Sequence, residues 1–334
     1  MNAATHDLRQ PVSVVLPVLD EQRHLRAAVR SVLDQDYPGD IEVVLALGPS
    51  KDRSDEVAAD LAQDPRVRLV ANPTGRTPNG LNLAVAASRY PIVARVDGHS
   101  VIPPDYLRTA VELLERTGAD NVGGLMSAKG VTSLEQAIAT AMTSKLGVGN
   151  APFHVGGGEG PADTVYLGVF RRSALERVGG YDESFVRAQD WEMNYRIRST
   201  GGLVWFSPAL SVSYRPRSSL ATLARQYFHY GRWRRQVMRA HPGSVNLRYL
   251  APPSAVLGVV AGLVLSTFVS LLALTLPVGY LLLVVAGSVA VGRGVALRAR
   301  IWLPLVLVTM HMTWGAGFLS SWRNLADSEA QRSD

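Results

Sequence analysis

A long uncharged segment is the feature of this chain that most constrains its fold. Residues 254–292 contain no Asp, Glu, Lys or Arg, whereas charges are interspersed from about residue 12 to residue 250. This segment of about 39 residues is too long for a single membrane span, which needs roughly 20, and Pro277 interrupts it. It therefore predicts two membrane spans. A buried helical hairpin in a soluble protein would have the same composition, because periodicity does not separate the two.

A third apolar stretch, residues 301–320, predicts a further span with tryptophans near its ends as interfacial anchors. The loop before it, residues 293–300, carries three arginines, and the positive-inside rule places that loop in the cytosol. Residues 1–11 have no apolar core of signal-peptide length, so the preceding domain is also expected in the cytosol. The third span would then place the tail, Trp322–Asp334, outside. These features predict a multi-pass protein of the inner (cytoplasmic) membrane.

The charge balance is basic, with a formal net charge of +6 and a pI of about 9.7. The densest arginine cluster, residues 215–239, lies directly before the uncharged segment, where basic residues favour an anionic lipid surface. No aromatic-basic recognition module accompanies it, so we do not expect nucleic acid as a partner. Cysteine is absent, which excludes disulfides, thiolate metal sites and cysteine nucleophiles.

The amino-terminal half alternates short apolar runs with segments of helical spacing. This alternation predicts parallel βαβ units, in which ligands bind at the carboxyl ends of the strands. The predicted strands are residues 12–16, 41–47, 67–70 and 91–96, and the predicted helices are residues 21–33, 55–62 and 80–87.

The strand at 91–96 delivers Asp97 and His99 to its carboxyl end. A carboxylate oxygen and an imidazole nitrogen together suit Mn²⁺, and Mg²⁺ less well, and such a metal would neutralise a diphosphate. A turn or helix cap formed by Asp97 is the alternative. Arg76, in the loop after the third strand, is either a donor-phosphate ligand at the same edge or a solvated loop residue.

A second pair of carboxylates, Asp190 and Glu192, follows a glycine-containing loop and precedes a predicted helix. Near a metal-diphosphate site, such a pair suits a general base with a supporting acid. The alternative is a helix N-terminus with capping acids, and the sequence does not separate the two. Trp191 between them is either a wall of the acceptor site or a core residue.

Several motifs, in this order along the chain, resemble the inverting family 2 glycosyltransferases of GT-A fold, and most closely the branch associated with succinoglycan biosynthesis. The motifs are Val14-Val-Leu-Pro-Val-Leu-Asp-Glu21, Val96-Asp-Gly-His-Ser-Val-Ile-Pro-Pro-Asp-Tyr106, Asp163-Thr-Val165 with Phe170-Arg-Arg172, Gln189-Asp-Trp-Glu192, Tyr214-Arg-Pro-Arg217 and Gln226-Tyr-Phe-His-Tyr-Gly-Arg-Trp233.

The resemblance implies a nucleotide-sugar donor in the amino-terminal half, bound by Pro17, Glu21, Arg76 and Asp97. Asp97 and His99 match the family's metal and diphosphate motif, and Asp190 matches its catalytic base, with Glu192 in support. The base would deprotonate an acceptor hydroxyl, which attacks the anomeric carbon opposite the nucleotide. The predicted architecture is an α/β GT-A domain at residues 1–218, an interfacial helix region at 219–250, a membrane anchor at 251–322 and a tail at 323–334.

Three positions depart from the family pattern. Leu47 and Gly48 stand where many relatives carry an Asp pair that helps recognise uracil, so UDP is a preference and the nucleotide stays open. His99 replaces a carboxylate, which should weaken Mg²⁺ and tilt the site toward Mn²⁺. His229 replaces the Gln of the Q-x-x-R-W motif of processive synthases, which favours a single sugar addition.

The basic segment at 219–241 mixes arginines with apolar and aromatic residues, a pattern typical of a helix in the membrane interface. Membrane anchoring makes most sense if the acceptor is a lipid-linked saccharide, such as one on a polyprenyl diphosphate. Two alternatives are a polyprenyl-phosphate sugar transferase and a catalytically inactive membrane scaffold. The residues predicted to bind the acceptor or its diphosphate are Gln189, Trp191, Arg215, Arg217, Arg232 and Trp233.

Overall fold

A computed structural model of the chain describes residues 9–322. The predicted tail at 323–334 therefore lies outside the described residues. Two compact units divide the rest: residues up to 127 together with 156–213 form the first, and residues 128–155 with those from 214 onward form the second.

The first unit is built on an eight-stranded mixed sheet in the order β3-β2-β1-β4-β7-β5-β8-β6. The β2–β3, β1–β2 and β1–β4 pairs are parallel, and β4–β7, β7–β5 and β8–β6 are antiparallel. All four strands predicted from the sequence form this parallel half. The strands are β1 (Val12–Val18), β2 (Ile41–Leu47), β3 (Val67–Ala71), β4 (Ile92–Arg95), β5 (Asn121–Ala128), β6 (Gly160–Pro161), β7 (Tyr166–Arg171) and β8 (Val204–Tyr214).

Helices of the first unit connect these strands and bury their apolar faces. In α1 the buried residues recur at three- and four-residue spacing, from Leu25 through Val29 to Val32, as an amphipathic helix requires. This helix begins later than residue 21, because Asp20 adopts a left-handed conformation (φ 56°) and Glu21 opens a turn. The helices are α1 (Leu25–Leu33), α2 (Ser54–Leu61), α3 (Thr77–Ala87), α4 (Tyr106–Thr117), and, further along the chain, α8 (Arg172–Val178) and α9 (Gln189–Ser199).

A buried carboxylate joins the amino ends of the central strands. Glu42, with its side chain 1% exposed, accepts hydrogen bonds from the Ser13 hydroxyl (2.7 Å) and from the Nε of Arg89 (2.8 Å). Burial by itself raises the pKa of Glu42, but the bonds from Ser13 and Arg89 outweigh burial and hold that pKa below its usual value. This network lies at the end of the sheet opposite the predicted site and stabilises the fold.

The second unit is helical. Three of its helical segments, Leu247–Phe268, Leu271–Val291 and Leu297–Ser320, are long and apolar enough to cross a membrane. The helices are α5 (Ser133–Met142), α6 (Lys145–Val148), α7 (Pro152–Val155), α10 (Leu220–Ala240), α11 (Ala251–Phe268), α12 (Thr275–Val291) and α13 (Leu297–Ser320). The α/β sheet followed by apolar helices confirms the predicted fold class.

Candidate active site

The predicted strand end lies at the carboxyl edge of the parallel sheet. Strand β4 pairs with β1, with Arg95 opposite Val15, and Asp97 follows within two residues. The Asp97 side chain is 20% exposed, so its carboxylate is open to solvent at this edge. The position matches the rule that open α/β sheets bind ligands outside the carboxyl ends of their strands.

Arg95 joins the two predicted acidic positions of the site. Its guanidinium is buried and donates to one oxygen of Asp97 from Nε (3.0 Å) and Nη2 (2.9 Å). Its Nη1 donates to Asp190. The forked geometry of a guanidinium allows one side chain to hold both carboxylates at once. Asp97 and Asp190, 93 positions apart in the sequence, are therefore brought to one place.

Burial and charge act in opposite directions at this cluster. Although 43% of the Asp190 side chain is exposed, the surrounding protein displaces water from its carboxylate and so raises its pKa. The negative charge of Asp97 adds to that rise, while Arg95 opposes it without cancelling it. The pKa of Arg95 lies well above its usual value, since the two carboxylates outweigh the lowering that burial causes. The pKa of Asp190 is therefore raised while its carboxylate stays in contact with the Arg95 cation.

Asp190 is positioned by the start of helix α9. Ala188 precedes the helix in a left-handed conformation (φ 58°), which is rare for a residue with a side chain and turns the chain sharply into its first turn. Glu192 faces elsewhere: its two oxygens accept from Nε and Nη2 of Arg196, both at 2.7 Å. Trp191 is 7% exposed and stacks on Tyr195. The structure thus brings Asp190, and not Glu192, to Arg95.

The segment leading into α9 is fixed by α3. Asn82 accepts from the backbone N–H of Tyr181 and donates to its carbonyl oxygen, each at 2.8 Å. Asn79 and Asn82 also donate to the carboxylate of Glu183. Neither asparagine was a predicted site residue. Their contacts hold the loop that leads into α9 and hence to Asp190.

His99 is oriented by Glu21. The Nδ1 of His99 lies 2.7 Å from Oε1 of Glu21, and a Cβ added at Gly98 would lie 3.0 Å from the Glu21 side chain. Glu21 is in turn fixed by its backbone N–H, which donates to the Ser54 hydroxyl at 2.7 Å. The loops after β1 and β2 are therefore joined to each other and to the strand end at Asp97.

This arrangement fits the donor set expected of a divalent cation. Metal-binding histidines commonly use one ring nitrogen for the metal while the other bonds a carboxylate, and Glu21 provides that carboxylate for His99. Asp97 contributes an oxygen donor, so the two ligand types, carboxylate and imidazole, suit Mn²⁺. Among residues 9–322, no three His, Asp or Glu side chains are grouped to hold a metal ion. Further ligands would have to come from a bound diphosphate and water.

The other predicted donor residues lie in the same unit. Pro17 is in β1, opposite Ala46 of β2, and Arg76 immediately precedes α3. Gln189, which was predicted to bind the acceptor or its diphosphate, is the first residue of α9. Leu47 is the last residue of β2, and the N–H of Gly48, which follows the strand, donates to the carbonyl of Val18.

Arg215 and Arg217 lie in the second unit, at an open pocket of about 380 Å³. Arg215 donates from Nε (3.2 Å) and Nη2 (3.0 Å) to Oε1 of Glu135, a buried residue that forms the capping box of α5. The side chain of Arg215 remains 67% exposed. Arg217 donates to the Gln226 side chain (3.3 Å). The pocket is lined by Glu135, Arg215, Pro216, Arg217, Ser218 and Thr222.

Arg232 and Trp233 lie on α10, and they differ in exposure. Trp233 is 2% exposed and is buried within the second unit, whereas Arg232 is half-buried. The Arg232 side chain can therefore contact an acceptor directly, whereas the buried Trp233 side chain cannot do so without a rearrangement.

Arg95 is the site residue that the sequence interpretation missed. Its signal was present, because an arginine stands inside the otherwise apolar strand Ile92–Arg95. A charged side chain is almost never buried unless it is paired, so such a residue predicts carboxylate partners nearby. The partner at Asp97 is local, but the partner at Asp190 required the three-dimensional structure.

Comparison with known proteins agrees with this fold. The model of the family "Glycosyl transferase family 2" matches residues 13–179. The chain therefore belongs to glycosyl transferase family 2, and its sheet and the neighbours below give it the GT-A fold.

The similar proteins include well-covered relatives. Succinoglycan biosynthesis protein ExoA of Rhizobium meliloti (strain 1021) is 36% identical over 325 residues, which is 94% of each chain. A glycosyltransferase of Methanococcus voltae is 22% identical over 72% of this chain and 77% of its own. Its name is dolichyl N-acetyl-alpha-D-glucosaminyl phosphate 3-beta-D-2,3-diacetamido-2,3-dideoxy-beta-D-glucuronosyltransferase. Among solved structures, the mannosyltransferase PcManGT from Pyrobaculum calidifontis, in complex with GDP-Man and Mn²⁺, has a TM-score of 0.59 at 19% identity. The match covers 94% of this chain and 88% of that one.

Proposed function

We propose that this glycosyltransferase transfers one sugar from a nucleotide-sugar donor to a hydroxyl group of a lipid-linked saccharide, with inversion at the anomeric carbon. The observation that carries the proposal is the buried Arg95, which contacts both Asp97 and Asp190. It supports a general base close to the strand end where a donor diphosphate would bind. The similarity to a succinoglycan biosynthesis protein supports a role in cell-surface polysaccharide synthesis.

The proposed chemistry is a single displacement. Asp190 accepts the proton of the acceptor hydroxyl, whose oxygen then forms a bond to the anomeric carbon. The bond from that carbon to the donor phosphate oxygen breaks on the opposite face, and the nucleoside diphosphate leaves. The raised pKa of Asp190 makes its carboxylate a stronger base than an exposed aspartate.

Asp97 and His99 are the residues that would hold a divalent cation, and Glu21 would fix the His99 ring. When bound, the cation would stabilise negative charge on the departing diphosphate. The bound Mn²⁺ of the Pyrobaculum structure belongs to that protein and supports Mn²⁺ as the first ion to test. UDP-sugars are our preferred donors, and GDP-sugars belong in the same panel because that structure contains GDP-Man.

The lipid-linked acceptor is supported by the pocket at Arg215 and Arg217. Both are exposed arginines in the unit that carries the apolar helices. Guanidinium groups bind phosphate oxygens in bidentate geometry, so this pocket suits the diphosphate of a polyprenyl carrier. A membrane location with the α/β unit in the cytosol follows from the basic loop before α13 and is part of the proposal.

A transfer assay tests this function directly. Detergent-solubilised protein would be incubated with a panel of UDP- and GDP-sugars, membrane lipid extract, and either Mn²⁺ or Mg²⁺. We expect a lipid-soluble glycosylated product for one donor, and we expect Asp190→Asn to abolish it. Asp60→Asn is the matched control, because Asp60, on α2, forms an exposed ion pair with Arg26 of α1.

The variants also separate the alternatives. A phosphate acceptor needs little base catalysis, so near-normal turnover of Asp190→Asn on polyprenyl phosphate would replace our proposal with a polyprenyl-phosphate sugar transferase. A folded protein that binds no nucleotide-sugar with either metal would instead be a membrane scaffold.

A further inference from the structure

The third apolar helix, α13, begins beside the end of α12. The Nε of Arg300 donates to the carbonyl oxygen of Gly292 at 2.7 Å. A Cβ added at Gly292 would lie 2.9 Å from Leu303. The first turns of α13 are therefore at the level where α12 ends.

Helices α11 and α12 form an antiparallel hairpin. A Cβ added at Gly262 would lie 2.5 Å from the ring of Pro277, and only residues 269–274, which include the short turn Leu271–Leu274, separate the two helices. The start of α11 and the end of α12 are thus at the same end of the hairpin, which we call its base. The turn at residues 269–274 is its tip.

The far part of α13 returns to this base. A Cβ added at Gly315 would lie 2.5 Å from the carbonyl oxygen of Pro252, which is in the first turn of α11. From Leu303 to Gly315 the helix advances about 18 Å, yet both ends of that stretch touch the base. Between these two contacts α13 also meets α12 above the base, where Nδ1 of His311 lies 3.2 Å from the Tyr280 hydroxyl. A helix that crossed the membrane beside the hairpin would continue to its tip, whereas α13 is back at the base by Gly315.

Two other helices of the second unit, α10 and α6, contact the flanks of α13. On one side, a Cβ added at Gly317 would lie 2.0 Å from the carbonyl oxygen of Phe228 on α10, and Nη1 of Arg235 donates to the carbonyls of Phe318 and Leu319, both at 3.0 Å. Helix α10 also carries four further arginines, which hydrocarbon would exclude.

On the other side, α6 contacts α13. Nε2 of His311 lies 2.8 Å from the carbonyl oxygen of Leu146, and a Cβ added at Gly147 would lie 3.0 Å from Met310. These contacts explain why 39% of the apolar window in α13 is buried, against 11% and 17% for the other two candidate spans. Most of the surface of the α11–α12 hairpin, in contrast, is not covered by other parts of the described chain.

The face of α13 left uncovered is apolar. Leu297, Ile301 and Leu305 recur every four residues and so lie on one stripe of the helix, with exposed fractions of 71%, 71% and 48%. An apolar stripe on a helix that packs against the arginine-rich α10 is the pattern of a helix in the membrane interface.

We propose that α13 lies along the membrane surface at the base of the hairpin, with the Leu297–Leu305 stripe in contact with phospholipid. Only α11 and α12 enter the bilayer. Residues 320–322 then lie on the same side of the membrane as the loop before α13, contrary to the sequence expectation that the third apolar segment crosses. The second unit binds the lipid surface along α13 as well as by its hairpin.

The absence of cysteine makes the test direct, since each introduced cysteine is the only one in the chain. Ala296→Cys reports on the loop before α13, Ser320→Cys on the end of α13, and Ser270→Cys on the hairpin tip; all three positions are exposed. Intact cells and inverted membrane vesicles would be treated with a membrane-impermeant maleimide. We expect Ala296→Cys and Ser320→Cys to be labelled from the same side. Labelling of these two from opposite sides would overturn the proposal.

A depth measurement gives an independent answer. Nitroxides attached at Ile301, Leu305 and Ser320 in phospholipid vesicles would be compared for collision with oxygen and with a polar nickel chelate. A crossing helix separates Ile301 from Ser320 by about 28 Å along the bilayer normal, whereas a surface helix gives all three similar shallow depths. A deep maximum midway between these positions would refute the surface orientation.

Discussion

Removal of the Arg95 guanidinium is the perturbation that tests the site most sharply. In Arg95→Gln, Asp190 loses one charge-assisted hydrogen bond and Asp97 loses two. A hydrogen bond to a charged group contributes about 1.5–3 kcal/mol. The Asp190 side chain is 43% exposed, so solvent screens its bond to Arg95 and the lower value applies. A loss of about 1.5 kcal/mol in positioning the base corresponds to a roughly ten-fold fall in turnover.

The pH profile gives a second, more specific signature. Burial and Asp97 raise the pKa of Asp190, and Arg95 is the group that opposes them. Without Arg95 the pKa of Asp190 rises further, so the carboxylate protonates at higher pH. The acid limb of the kcat profile should therefore move to higher pH in Arg95→Gln. In Arg95→Lys the shift of the acid limb should be smaller, because the lysine ammonium keeps the positive charge but lacks the forked geometry that lets a guanidinium bind both carboxylates.

The measurement is the initial rate of sugar transfer between about pH 5 and pH 9, with donor and acceptor saturating, and with thermal unfolding followed in parallel. Arg53→Gln is the matched control, since Arg53 forms an exposed ion pair with Glu56 in the same unit. A folded Arg95→Gln enzyme with turnover within about two-fold of the parent and an unmoved acid limb would refute the assigned role of Arg95.

Three further predictions follow from other parts of the molecule. His99→Ala should raise the Mn²⁺ concentration needed for half-maximal nucleotide binding by about ten-fold or more in calorimetric titration, and an unchanged metal requirement would remove His99 from the metal site. Because the folded-state pKa of Glu42 is lowered, its charge stabilises the fold above its unfolded-state pKa of about 4.3 and ceases to do so as pH falls through the folded value. Glu42→Gln should therefore lower the Tm at neutral pH, and the gap to the parent should narrow in acid; a gap independent of pH contradicts this. Gly317→Leu should destabilise the second unit by about 1–3 kcal/mol or more in chemical unfolding, whereas Gly258→Leu, with open space at its Cβ, should not.

The parallel half of the sheet was predictable because its signals are local. Strands β1, β2, β3 and β4 are short apolar runs bounded by turns, and each was predicted to within about two residues of its observed ends. The position of Asp97 followed from the same pattern, since a strand end in a parallel sheet is a ligand edge.

The rest of the site depended on contacts between distant residues. The antiparallel strands β5 to β8 pair out of chain order, and nothing in their local sequence specifies that β7 lies between β4 and β5. Glu192 resembles Asp190 in sequence, but helix geometry turns the two carboxylates to different sides, so that one meets Arg95 and the other Arg196. Only the assembled unit distinguishes them.

The interlocked loops after β1 and β2 limit how this rim can bind phosphate. The backbone N–H groups of Asp20, Glu21 and Gln22 already donate to side chains of the second loop. In return, the N–H groups of Lys51 and Arg53 donate to side chains of the first loop. A glycine-rich phosphate loop binds its ligand with free amides, but here those amides are occupied. These five amides are therefore not available to a phosphate, and a phosphate bound against these two loops would depend on cationic side chains or a metal ion instead.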